Sequence, residues 1–161
     1  MVIYLFGSRD GLVAEIVRIV EEQQRSALDL LVHNQELDPF EQAGLCWDHV
    51  VDAAGTFGPL FFELTGQALQ GRPHTTRLLH DLMDMWIDPL AALYVRQGVD
   101  PQQAPAHARL GLAAARGLLL DLLVTGDRAA VDAAMELLAG MVQTEVATGT
   151  AARPPGMPQA R

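Results

Sequence analysis

Histidine and carboxylate side chains recur at helical spacing in the middle of the chain. His80, Asp84 and Asp88 fall at i, i+4 and i+8, and Asp81 lies beside His80. One face of a helix could therefore present a histidine and two carboxylates, which are common metal ligands. Because the same spacing is typical of an acidic solvated face and no second cluster supplies further ligands, we interpret these residues as solvated and predict no metal site.

Motifs for catalysis are missing from the sequence. It contains no nucleophile elbow, no histidine–carboxylate motif with a placed Ser or Cys, and no phosphate-binding glycine loop. The pairs His49 with Asp52 and His107 with Arg109 are also interpreted as solvated faces. The sequence therefore predicts no catalytic residue and no cofactor. Enzymatic or carrier use of a helical pocket, acting on a hydrophobic metabolite, is kept as the alternative function.

Composition and periodicity favour one all-helical domain. The chain has 161 residues, of which 50% are hydrophobic and 19% charged, as expected for a chain with a single core. Apolar residues repeat every three or four positions, which predicts helices over 9–34, 38–54, 59–71, 75–97, 103–124 and 127–147, with a turn over 55–58. Pro89 is expected to kink or split its helix. The predicted fold class is an all-α single helical bundle.

The net charge and the lack of targeting signals limit the partners and the location that the sequence predicts. The net charge is −9 and the basic residues are scattered singly, which argues against DNA binding by these residues alone. The sequence from Met1 to Phe6 lacks the features of a signal peptide, and no run approaches the roughly 20 apolar residues of a membrane span. We predict a cytoplasmic protein with no membrane partner, in which the single cysteine, Cys46, is a core thiol.

The last two helices are predicted to form an antiparallel hairpin around Thr125-Gly126-Asp127. Small residues such as Gly111 and Gly117 alternate with leucines, so the hairpin carries more apolar surface than one core needs. We interpret it as the interface of a two-fold symmetric homodimer. The predicted interface residues are Leu112, Ala115, Leu118, Leu119, Leu122, Val131, Met135, Leu138 and Val142.

The segment Ile3-Tyr4-Leu5-Phe6-Gly7-Ser8-Arg9-Asp10-Gly11-Leu12 resembles the junction after the recognition helix in TetR/AcrR-type transcriptional regulators. That family typically has a tyrosine followed by F-G-S-[KR]-[DE]-x-L. The stretch from Ala115 to Leu123, followed by Thr125-Gly126-Asp127, is similar to the dimerisation helices of the family. The resemblance covers residues 1 to about 145, and its front motif is the more specific part.

The resemblance implies a helix-turn-helix head that this sequence contains only in part. Met1 falls within the region that matches the end of the recognition helix, so residues 1–7 are interpreted as a remnant of it. Tyr4 and Arg9 could touch only the DNA backbone, because a recognition helix needs its bracing helix. Two explanations stay open: coding sequence that continues upstream, or a protein without the head. Residues 8–147 form the predicted ligand-binding and dimerisation domain, and 148–161 a disordered tail.

The resemblance also implies an effector site inside the bundle, with mainly apolar walls. A small, mainly apolar effector and a second copy of the chain are therefore the expected partners, with DNA a partner only through a preceding head. The matching ligand-binding candidates are Trp47, His49, Phe61, Phe62, Thr65, His80, Met83, Trp86 and Tyr94. The resemblance thus predicts the effector domain of a TetR-type regulator.

Overall fold

Five α-helices make up the part of the chain that the structure, a computed structural model, describes. It describes the backbone of residues 9–71 and 73–151, and the side chains of residues 15–71 and 84–149. The helices are α1 (Arg9–His33), α2 (Pro39–Leu69), α3 (Pro73–Gln97), α4 (Ala104–Thr125) and α5 (Arg128–Ala151). No strand occurs in these ranges, so the predicted all-α fold is confirmed there.

Local capping sets three of the helix boundaries where the sequence predicts them. The Asp38 carboxylate accepts a hydrogen bond from the backbone N–H of Phe40 at 2.9 Å and begins α2. Gly126 ends α4 with a φ of +72°, a left-handed conformation that favours glycine. Asp127 then accepts from the backbone N–H of Ala130 at 3.0 Å and begins α5.

The second helix differs from the prediction, because α2 runs without a break through the expected turn at 55–58. Pro59 lacks one N–H donor, yet the helix continues. The physical reason is tertiary packing: Val51, Ala54, Phe61 and Leu64 are all buried on one face, and this stripe continues across the proline. The predicted turn, and with it the separate short helix, is wrong.

The end of α5 also differs from the expected boundary, and of the two effects predicted for Pro89, a kink or a split, the split does not occur. The helix α3 is continuous from Pro73 to Gln97, so Pro89 does not split it. The helix α5 continues to Ala151, past Thr148, where the disordered tail was expected to begin. The rest of that predicted tail, 152–161, and the predicted remnant of the recognition helix, 1–7, lie outside the described residues.

The core joins the first four helices. Its largest buried cluster contains Ala27, Leu31, Cys46, Trp86, Leu93 and Leu112, with contributions from α1, α2, α3 and α4. The Cys46 Sγ lies 3.6 Å from the Ala27 carbonyl oxygen, and burial raises the pKa of this thiol to about 12. Cys46 is therefore the inert core thiol that the sequence predicts. No described helix is both long and apolar enough to cross a membrane.

A buried polar cluster ties three helix ends together. The Gln42 side chain is fully buried, and its Nε2 donates to the carbonyls of Leu30 and Leu31, both at 3.0 Å. Its Oε1 accepts from Arg96, which also donates to the carbonyl of Leu37 at 2.9 Å. These carbonyls lie at the end of α1 and in the following loop, where no intrahelical partner exists.

Two glycine-to-alanine variants test this fold. Nothing lies within 4 Å of a Cβ added at Gly55, so Gly55→Ala is expected to stabilise α2 by about 0.5–1 kcal/mol.

A Cβ at Gly111 would overlap the Tyr94 hydroxyl, so Gly111→Ala is expected to destabilise the protein by about 1–3 kcal/mol. Urea unfolding followed by circular dichroism measures both changes, and destabilisation by Gly55→Ala would instead support the turn.

Candidate ligand-binding cavity

A cavity of about 550 Å³ lies inside the bundle. Described residues of all five helices line it. The wall residues lie between Val20 and Leu31 on α1, Phe40 and Phe62 on α2, Trp86 and Gln97 on α3, Gly111 and Leu119 on α4, and Asp132 and Gln143 on α5. Its volume falls within the range of small-molecule sites in proteins.

Small residues at the points where helices face the cavity explain why it is not filled. Ala43 and Gly44 of α2, Ala115 of α4 and Ala139 of α5 all lie on its wall, so large side chains are absent from these positions. The cavity wall follows α2 over much of the length of that helix. Its wall positions on α2 extend from Phe40 to Phe62, which corresponds to about 30 Å of helix.

The structure brings several of the predicted ligand contacts together on this wall. They come from α2 and α3, and they are all aromatic: Trp47, Phe61, Phe62, Trp86 and Tyr94. The rings of Phe61 and Phe62 pack edge to face with centroids 5.2 Å apart. Trp86 is buried and donates its indole N–H to Gln24 of α1 at 3.0 Å, so one wall residue is directly tied to the first helix.

Other predicted contacts lie elsewhere. The Nε2 atom of His49 is 3.4 Å from both Gln23 Nε2 and Ser26 Oγ, between α2 and α1, and His49 is not on the cavity wall. The Thr65 hydroxyl donates to the Phe61 carbonyl of its own helix at 2.8 Å. These two residues are therefore not cavity contacts in this structure. The side chains of His80 and Met83 lie outside the described residues.

A buried amide on the wall keeps an unused acceptor. Gln97 is only 9% exposed, and its Nε2 donates to the Pro39 carbonyl at 3.2 Å. Its Oε1 has no hydrogen-bond partner among the described residues. Because a buried acceptor normally has a partner, a water or ligand donor in the cavity would fit at this position. Periodicity alone did not identify this residue, since Gln97 reads as an ordinary helix end.

Arg116 places a cationic group on the otherwise mainly apolar wall. It projects from α4, and its guanidinium carbon lies 5.4 Å from the centroid of the Phe61 ring, a cation–π geometry. Burial lowers the pKa of Arg116, although a guanidinium remains charged in proteins. The sequence does not indicate this role, because an isolated arginine in a helix is usually solvated.

Polar side chains connect α2 and α5 at the edge of the cavity. The Trp47 indole N–H donates to Asp132 at 2.8 Å, and Arg128 contacts Asp132, Asp48 and Asp52 at 2.6, 2.8 and 2.8 Å. The hydrogen bond from Trp47, followed by that from Arg128, lowers the pKa of Asp132. These contacts keep Asp132 ionised and hold the start of α5 against α2.

The hairpin residues predicted as a dimer interface point mostly inward. Leu112, Val131 and Val142 are buried within the single chain. The cavity side of the hairpin also holds Ala115, Leu119 and Met135, whereas Leu122 is half-buried. A periodic apolar pattern defines a stripe but not which stripe faces the bundle, which explains the difference. Among the predicted interface residues, Leu118 and Leu138 line a surface groove.

That groove runs between α4 and α5 on the outer side of the hairpin. We call it the outer groove and define it by Ala114, Gly117, Leu118, Ala134, Leu137, Leu138 and Met141. Leu137 and Met141 are 62% and 58% exposed, and Leu110 and Val124 add exposed apolar surface on α4. An apolar surface of this kind is typical of a protein–protein contact.

The described residues contain no group of three or more His, Cys, Asp or Glu side chains that could hold a metal ion. Of the residues that the sequence places at metal-ligand spacing, the side chains of His80 and Asp81 lie outside the described ranges, and those of Asp84 and Asp88 are exposed.

Comparison of the chain with known protein families, curated proteins and solved structures found no match.

A histidine between α4 and α5 makes the hairpin sensitive to pH. His107 Nε2 lies 3.1 Å from Glu145, and its Nδ1 lies 3.1 Å from the Gln103 carbonyl. Partial burial opposes protonation, but the hydrogen bonds to Glu145 and Gln103 outweigh it, and the pKa of His107 is raised above its usual 6.5. The stabilisation is therefore complete below pH 6.5 and is lost as the pH rises through the folded-state pKa.

We expect Glu145→Gln to lower the pKa of His107 and to reduce the stability of the protein more at pH 6 than at pH 8.5. The reason is that the variant removes the carboxylate that favours the charged imidazole. NMR titration of the imidazole and urea unfolding at both pH values measure the two effects. Glu136→Gln, which removes an exposed charge from the same helix, is the control. Equal losses of stability at both pH values would contradict the prediction.

Proposed function

We propose that the chain is the effector domain of a TetR-type transcriptional regulator, which binds a small, mainly apolar ligand and pairs with a second copy of itself. The observation that carries the proposal is the cavity of about 550 Å³, to which all five helices contribute. Aromatic residues such as Trp47, Phe61 and Trp86 provide apolar surface on its wall. A few polar groups, among them Gln97 and Arg116, would orient the ligand.

The position of α1 supports a regulatory use of the cavity. This helix begins at Arg9, within the motif that resembles the junction after a recognition helix. It also supplies Val20, Gln24 and Ala27 to the cavity wall. A ligand would therefore contact the same helix that joins a DNA-binding head to the bundle. Such a ligand could shift a two-state equilibrium by binding one position of α1 more tightly than the other.

DNA binding would belong to a head that precedes α1, not to the bundle. The net charge of −9 and the scattered arginines offer no basic surface to the phosphate backbone. Recognition of bases by this regulator would need a complete helix-turn-helix. Within the described domain, the proposed roles are therefore ligand binding and pairing of two subunits.

The outer groove supports pairing with a second copy. In a two-fold symmetric contact, the same patch must fit itself, with protruding residues of one copy entering the depression of the other. The outer groove offers both parts, since Leu137 and Met141 protrude while Ala114, Gly117 and Ala134 leave room. We therefore propose the outer groove as the centre of the homodimer contact, in place of the inward-facing residues Leu112, Val131 and Val142.

Filling the cavity tests ligand binding. We expect N-phenyl-1-naphthylamine, a neutral apolar fluorophore, to bind saturably with one site per chain and to quench Trp47 and Trp86, which both line the cavity. The variant Ala115→Phe places a ring in the cavity and is expected to weaken binding at least about tenfold. Ala106→Phe puts the same ring on the exposed side of α4 and is the control. Equal binding by both variants would remove the cavity as the site.

A charge in the outer groove tests dimerisation. We expect the wild-type protein to sediment as a dimer and Leu137→Glu to sediment as a monomer, because two carboxylates would be desolvated in a symmetric contact. Leu69→Glu is the matched control, since Leu69 is 79% exposed but lies at the end of α2. Analytical ultracentrifugation distinguishes the two states. A monomeric wild type, or a Leu137→Glu variant that remains dimeric, would contradict the proposed contact.

A further inference from the structure

We propose that the ligand of the cavity carries an O–H or N–H group that donates a hydrogen bond to Gln97. This inference rests on the proposed function and adds a chemical requirement for the ligand. It is carried by the Oε1 atom of Gln97. Among the described residues, this is the one buried side-chain polar atom without a hydrogen-bond partner, and Gln97 lies on the cavity wall.

The amide of Gln97 has one favourable orientation. Its Nε2 donates to the Pro39 carbonyl at 3.2 Å, which joins the end of α3 to the start of α2. A flipped amide would place Oε1 against that carbonyl oxygen, and two acceptors cannot form a hydrogen bond with each other. The unpartnered atom is therefore the amide oxygen, and only a donor can satisfy it.

The start of α2, next to Gln97, has no donor left to offer. Pro39 lacks a backbone N–H, and the N–H groups of Phe40 and Glu41 donate to the Asp38 carboxylate at 2.9 and 3.2 Å. The N–H of Gln42 donates to the Asp38 carbonyl at 2.9 Å. Every backbone donor in the first turn of α2 is thus missing or engaged, so a donor for Gln97 has to come from within the cavity.

The cavity wall near the start of α2 is apolar. Phe40, Tyr94 and Val142 belong to one hydrophobic cluster, and all three also line the cavity. In such surroundings an unpaired acceptor is costly and a hydrogen bond to it is strong. A ligand that donates here gains affinity that a purely apolar ligand of the same shape does not.

Other acceptors on the cavity wall already have protein donors. The Oε1 atom of Gln24 accepts the Trp86 indole N–H at 3.0 Å, and Asp132 accepts from Arg128 at 2.6 Å. The acceptor of Gln97 differs from both in being buried and unpartnered. The donor group of the ligand is therefore placed where α3 ends and α2 begins.

Three bicyclic ligands isolate the hydrogen bond. Indole has a ring N–H, benzofuran has an oxygen in its place, and 1-methylindole has the nitrogen blocked by a methyl group. Transfer out of water by itself favours the two compounds without the N–H, because burial of an unpaired donor costs free energy. We nevertheless expect indole to bind the full chain about fivefold to tenfold more tightly than either, as measured by isothermal titration calorimetry.

A matched pair of variants tests the role of Gln97. Gln97→Met removes the acceptor and keeps a side chain of similar length, so we expect weaker binding of indole by about fivefold to tenfold and unchanged binding of benzofuran. Gln143→Met makes the same substitution at an exposed position of the wall and is expected to keep the preference for indole. If Gln97→Met does not fold, the order of the three ligands on the wild type still decides.

The outcomes separate this inference from the proposed function. Benzofuran that binds the wild type as tightly as indole, or more tightly, would overturn the inference, and this is the result expected if a water satisfies Gln97. A preference for indole that persists in Gln97→Met would also overturn it, as would binding of N-phenyl-1-naphthylamine without binding of indole. Failure of all four compounds to bind would overturn the proposed function itself.

Discussion

The buried amide of Gln42 is the interaction on which the helical frame depends. Carbonyl groups at the end of a helix have no intrahelical partner, and each would cost about 1–3 kcal/mol if it were buried unpaired. Gln42 donates to the carbonyls of Leu30 and Leu31, and Arg96 donates to Gln42 and to the loop that follows. One polar cluster thereby fixes the end of α1, the start of α2 and the end of α3 relative to one another.

A rigid frame is what allows this bundle to keep a cavity. Apolar groups that face empty space lose the dispersion contacts that stabilise a packed core, so the surrounding helices tend to collapse inward. Here the cluster around Gln42 holds α1 to α3, while Arg128 joins α5 to α2 through Asp48 and Asp52. These ion pairs lie at the start of α5, and residues of both α2 and α5 form the cavity wall beyond them.

Local chemistry explains which parts of the structure the sequence could predict. The cap at Asp38 and the left-handed Gly126 depend on neighbouring residues only, and the predicted boundaries there are confirmed. Continuity through Pro59 depends on packing against other helices, and no local signal contains it. The same limit applies to direction. Leu112 and Leu118 belong to one apolar helix, and only the assembled bundle shows that the first faces the core and the second the outer groove.

The proposed regulation requires that a ligand act on α1, and the contacts show where it would do so. The end of α1 is held by Gln42, so movement of this helix would be a pivot about that end, with the largest displacement near Arg9. Gln24 lies between these points and accepts the indole N–H of Trp86, a cavity residue. A ligand that moves Trp86 changes this bond. A small shift in the cavity would thus be enlarged along α1 toward the segment that resembles the DNA-binding junction.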